Sequence, residues 1–158
     1  MNTRNYWLVK SEPESFSFED LWRAPRRTTQ WDGVRNYQAR NLLRDQMKKG
    51  DPVFFYHSNG KPPTIAGVAE VAKEGYPDPT AFDPRSAHFD GGSDPNSPRW
   101  YMVDLRATHR FKRPVTLPEL RNTPGLGEMV LLRKGSRLSV QPVTRAEWDI
   151  IYKLGIGD

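Results

Sequence analysis

Hydrophobic residues recur along this chain in short bursts rather than in the long stripes of a helical bundle. Tyr6-Trp7-Leu8-Val9-Lys10 is aromatic and β-branched and gives way to Ser11-Glu12-Pro13, as in a buried strand that ends at the surface. Val53-Phe54-Phe55-Tyr56-His57 and the run 65–72 read as two further strands joined by the turn-rich 58–63, with Gly67 marking a bulge or a close backbone approach. The segment 100–111 alternates, with Tyr101, Val103, Leu105, Ala107, His109 and Phe111 on one side. This predicts a long half-exposed strand with His109 in its core face. Residues 138–142 predict a strand that stops at Pro142, and 129–132 a short strand or the end of another element.

Helices are announced by one repeated device. Ser17 with Asp20, Thr116 with Glu119, and Thr144 with Glu147 each place a hydroxyl three residues before an acid, and an apolar residue on either side supplies a staple. A fourth helix is expected from near Asn36, with Ala39, Leu42, Leu43, Gln46 and Met47 on one stripe and Gly50 closing it. Gly155 closes the last helix. The basic, proline-containing stretch 23–29 reads as a loop. So does 76–98, with prolines 77, 79, 84, 95 and 98, although Tyr76, Phe82 and Phe89 argue that it packs on something. Mostly antiparallel strands with short helices at their ends give an α+β class, a curved sheet or small barrel, in a single domain over 1–158.

Charge narrows the partner. The 158 residues carry a net charge of +5, with 24 basic side chains. Sixteen of these are arginine, whose planar fork suits phosphate oxygens and base edges. Nucleic acid is therefore the first candidate, and the start of the chain has neither a signal peptide nor a membrane span, which sets the expectation of a cytoplasmic or nucleoid protein. With no cysteine, and with His57, His88 and His109 at no ligand spacing, neither a metal nor a cofactor is expected.

The most informative segment is Trp31-Asp32-Gly33-Val34-Arg35-Asn36-Tyr37-Gln38-Ala39-Arg40-Asn41, where an aromatic, a glycine turn, amides and arginines meet at a helix start. A ring to stack on and amides to read an edge are what base recognition requires. The competing reading makes Trp31 and Tyr37 core aromatics and Asn36 a helix cap.

Five blocks, at 6–13, 31–41, 54–58 (Phe-Phe-Tyr-His-Ser), 76–80 (Tyr-Pro-Asp-Pro-Thr) and 100–105 (Trp-Tyr-Met-Val-Asp-Leu), resemble the EVE domain family in order and across nearly the whole chain. The resemblance implies a PUA-like fold, related to YTH and ASCH domains. In this fold a small curved β-barrel, flanked by short helices, carries a pocket for a modified base, methylated cytosine or adenine, in DNA or RNA. Carried over by position, Trp31 forms one wall, with Lys10, Ser11, Gly33, Val34, Asn36, Tyr37 and Arg40 around it, and His57, Ser58, Tyr76 and Pro77 completing the cavity. Arg23, Arg26, Arg27, Arg35 and Arg44 are the candidates to hold flanking phosphates. The expected function is a non-enzymatic base reader. Two rivals stand beside it: a hydrolase or nucleotide-processing enzyme built on His57, Ser58, Lys10 and Asp78, and a protein-interaction module using the proline-rich loop.

Overall fold

The computed structural model describes residues 4–157. Six strands form one sheet: β1 (Tyr6–Ser11), β2 (Thr28–Trp31), β3 (Pro52–His57), β4 (Thr64–Pro77), β5 (Tyr101–Thr116) and β6 (Val140–Val143), in the order β2-β5-β4-β3-β1-β6. All neighbours are antiparallel except β1 and β3, which run parallel. A parallel pair is normally covered on both faces. So it is here: Trp7, Val9, Val53 and Phe55 enter one core cluster, while Leu8, Phe54 and Tyr56 enter another on the opposite face.

Four short helices cover the sheet: α1 (Phe18–Arg23), α2 (Tyr37–Asn41), α3 (Leu117–Arg121) and α4 (Arg145–Ile156). Full capping boxes start α1 and α4, and the Thr116 side chain caps α3, so the repeated sequence device holds at all three sites. Asn36 caps α2 by accepting the Ala39 N–H at 2.9 Å. Beyond Asn41 the helix widens into a π turn, Leu42–Gln46, which buries Leu43 and Met47 but leaves Gln46 exposed. Gly50 does not cap it; the chain leaves the helix at Met47, and Gly50 (φ +91°) turns into β3. Likewise α4 runs past Gly155, buried against Phe111, to a left-handed cap at Gly157.

Other departures share a cause. The stretch 23–29 contains the start of β2, because four residues suffice for an edge strand once β5 offers its backbone. β4 extends through Tyr76 and Pro77, past the expected end at Ala72. Along β5 the register against β4 shifts between Val68↔His109 and Ala69↔Ala107. That irregularity sends Phe111 to the second cluster and leaves His109 exposed, so the single apolar face read from alternation does not persist. Residues 130–132 form a 3₁₀ turn, not a strand.

The sheet is strongly curled. Two strands separate β2 from β3, which in a flat sheet would put them roughly 14 Å apart. Nevertheless the rings of Trp31 and Phe55 meet with centroids 5.5 Å apart. Among the described residues the ladders run from β2 to β6 and do not join these two edge strands to each other. No helix of the described residues is long and apolar enough to cross a membrane.

Candidate functional site

The curl brings the end of β1 opposite the end of β2, and between them lies a cavity of about 550 Å³. Lys10 and Ser11 of β1, Phe16, Trp31 and the turn Asp32-Gly33-Val34-Arg35 line it, together with Ser15, Thr29, Gln30, His88 and Ser139. Trp31 is half-buried and packs edge-on against Phe55 (83° between planes) and Phe16 (centroids 6.4 Å, 74°). Such edge-to-face contacts fix the indole as a rigid wall of the cavity.

The turn after Trp31 is held from beneath by Asp78, which is fully buried. One of its oxygens accepts the Gly33 N–H at 2.8 Å and the Arg35 guanidinium at 3.1 Å; the other accepts the Thr80 N–H and hydroxyl at 2.9 and 2.6 Å. Burial pushes this carboxyl up, but the donors from Thr80, Gly33 and Arg35 outweigh it and hold it below its ordinary range. Arg35 also reaches the His88 carbonyl at 2.6 Å, tying down the segment after β4. Gly33 sits at φ +76°, and a Cβ there would stand 2.6 Å from the His88 ring. The ring can lie over the turn only because residue 33 has no side chain.

The polar lining offers both senses of hydrogen bonding. Lys10, half-buried, is pushed down from its ordinary value by that burial. Burial pushes Asp32 up, aided by Asp78 and opposed by His88, its own backbone N–H and Arg35. A cationic donor, a carboxylate acceptor and a flat indole therefore face one space. A planar heterocycle with donor and acceptor edges matches that set.

Of the residues expected around a base, Lys10, Ser11, Trp31, Gly33 and Val34 line the cavity, and Arg35, expected on a phosphate, lines it too. The others lie elsewhere. Asn36 spends its carbonyl on the helix cap and faces a neighbouring hollow. Tyr37 stacks on Trp100 (centroids 4.8 Å), and Arg40 lies over Tyr37 while donating to the Arg99 carbonyl at 2.6 Å. His57 Nε2 accepts the Phe18 N–H at 2.9 Å, and the Ser58 N–H donates to the Ser11 carbonyl at 3.0 Å. Tyr76 donates to Asp104 at 2.5 Å, and Pro77 pairs with Tyr101, so this end of β4 is sheet and not a flap over Trp31. Of the enzyme set expected from the sequence, Lys10 lines this cavity while His57, Ser58 and Asp78 do not, and no group of three His, Asp or Glu residues among the described residues could hold a metal.

The arginines divide as well. Arg23 pairs with Glu19, Arg35 with Asp78 and Arg44 with Asp45 at 2.8 Å. Arg26 and Arg27 are exposed on a turn with positive φ (57° and 53°), and Arg27 lies 3.6 Å over the Trp22 ring. Reading the sequence missed Ser15, Phe16, Thr29, Gln30, Asp32, His88 and Ser139 as lining residues. Gln30 and Asp32 flank Trp31 and were within reach of that reading; Ser139 needed the curl.

The pattern of the EVE domain family matches residues 5–154. The chain belongs to the EVE domain family. This EVE domain is 46% identical over 170 residues to human thymocyte nuclear protein 1, the alignment covering 97% of this chain and 75% of the human one. A crystal structure of the human THYN1 protein in complex with DNA containing 5-methylcytosine superposes with a TM-score of 0.89 at 45% identity, covering 98% of this chain and 99% of that one. A Pseudomonas syringae protein of known crystal structure gives 0.88 at 46% identity, with 94% and 98% covered.

Proposed function

We propose that this EVE domain is a non-enzymatic reader of modified cytosine in DNA, taking one base out of its stack into the cavity beside Trp31. The cavity itself carries the reading: a rigid indole, an ammonium and a carboxylate converge on one space. The human relative's complex with 5-methylcytosine DNA supports the choice of base. The base stacks on Trp31. Its exocyclic amine donates to Asp32, and Lys10 serves its ring acceptors, the pairing chemistry by which a carboxylate selects cytosine. Thymine presents a carbonyl at that position and is repelled. The curl that sets β1 against β2 is also what a PUA-like barrel would supply, and we read the sheet as its wall.

Burying the added methyl is worth about 0.8 kcal/mol, roughly fourfold in affinity. Discrimination is therefore modest, and stacking and hydrogen bonding supply most of the binding. The test is titration of short duplexes that differ only in one central cytosine, methylated or not, with matched RNA strands alongside. Preference for the methylated DNA, abolished by Trp31→Ala, is the expected result. Equal binding of all strands by the wild-type protein refutes base reading.

A further inference from the structure

Beside the base cavity lies a second hollow of about 360 Å³, lined by residues that follow or precede those of the first along two stretches of chain. Where the first takes Val34 and Arg35, the second takes Asn36; where the first takes Ser139, the second takes Leu138. Adjacent Cα atoms are about 3.8 Å apart, so Arg137 stands within roughly 8 Å of Ser139. Gln38, Val130 and the run Arg133-Lys134-Gly135-Ser136-Arg137, turned by Gly135 at φ +75°, complete the lining.

Its three cations are exposed, and among the described residues none makes an ion pair. No carboxylate lines the hollow. Arg23, Arg35 and Arg44 must each leave a carboxylate before they can hold a phosphate, whereas Lys134 and Arg137 need release only counterions and Arg133 only one exposed hydrogen bond, to the Glu128 carbonyl at 3.3 Å. The loop is also held in place. Buried Gln141 donates to the Leu138 carbonyl at 2.9 Å and the Ser136 hydroxyl at 3.3 Å, while Lys10 reaches the Ser136 carbonyl at 3.5 Å. Lys10 thus touches both the base cavity and the basic loop.

We propose that the 133–138 loop is the phosphate clamp of this protein: Arg133, Lys134 and Arg137 hold phosphodiesters of the nucleotides flanking the base at Trp31. The strand's position rests on the base-reading proposal; the clamp itself requires only a polyanionic backbone.

The test uses the full chain, with Arg133, Lys134 and Arg137 all changed to alanine, and a duplex carrying one central 5-methylcytosine beside its unmodified copy. Affinity is measured from 0.05 to 0.3 M salt. Each lost phosphate contact flattens the plot of log affinity against log salt by about 0.9, so a drop of roughly two to three units is expected. Both duplexes should weaken alike, about tenfold or more at physiological salt, with their ratio unchanged. A control removes equal charge from the elements on the other core cluster, Lys112→Ala, Arg121→Ala and Lys153→Ala. An unchanged slope in the loop variant, or an equal loss in the control, overturns the clamp. Failure of base reading looks different: the wild type binds both duplexes equally while the loop variant still weakens both. Wild-type protein that binds neither duplex refutes both proposals.

Discussion

The carboxylate of Asp78 accepts the backbone N–H of Gly33 at 2.8 Å and, through the same oxygen, the guanidinium of Arg35 at 3.1 Å. One buried acid therefore sets the height of the turn that walls the cavity. Asp78→Asn is expected to cost about 2–3 kcal/mol, the worth of charge-assisted hydrogen bonds lost in a buried setting, and to weaken binding of the methylated duplex as well. Chemical denaturation and titration of the same variant measure both. The acid's folded value lies below its unfolded one, so its contribution is complete above the ordinary carboxylate range and is lost as pH falls through the folded value. Stability of the variant should accordingly fall less steeply in acid than that of the wild type.

Gly33 meets two constraints at once, a positive φ and a histidine ring resting on it. Gly33→Ala should cost about 1–2 kcal/mol from the left-handed backbone alone, with a further loss from collision with His88. Adding His88→Ala removes the collision and not the strain. The double variant should recover part of the stability, and strict additivity in thermal unfolding would show that ring and turn are uncoupled.

Trp31→Ala should weaken base binding by about 1–3 kcal/mol, the usual value of one stacked base. Trp31→Phe keeps a smaller ring and should fall between. Tyr37→Ala, by contrast, removes a partner of Trp100 outside the cavity and should leave the methylated-to-unmodified ratio at its wild-type value. A ratio lost in the Tyr37 variant and kept in the Trp31 variant would move the base to the other aromatic pair.

Burial pushes the His57 imidazole below its ordinary value, with Asp20 and Glu14 drawing it partly back. The unfolded chain then takes up a proton at a pH where the folded one does not, so stability rises with pH through the window just below about 6.5 and is complete above it. The neutral ring accepts the Phe18 N–H that opens α1. His57→Gln should flatten this rise and cost about 1 kcal/mol at pH 8 for the lost hydrogen bond. Melting curves between pH 5 and 8 provide the comparison.

The strands, three caps and Trp31 were legible because each is written in adjacent residues: alternation, a hydroxyl three before an acid, an indole beside a glycine turn. What depended on distant partners was not. β2 exists because β5 offers it a backbone, and His109 leaves the core because one irregularity in the ladder changes the face presented to it. Asn36 and Tyr37 share the motif with Trp31, yet a helix begins at these two residues, so a cap and an outward stack claim them. Ser139 and Arg137 lie over a hundred positions from Trp31, and no local pattern joins them to it.

Both the indole wall and its turn belong to the single crossover, residues 12–51, that carries the chain from β1 to the parallel strand β3. A nascent chain can own every residue from Lys10 to Arg35 and still have no receptacle. The receptacle appears only after synthesis passes Ser139, because β5 must pair with the strand that carries Trp31, Phe55 is the surface on which Trp31 rests, and Ser139 lines the cavity. Ligand competence in this molecule is therefore a late, long-range event of folding, acquired together with the core and not as a separable loop.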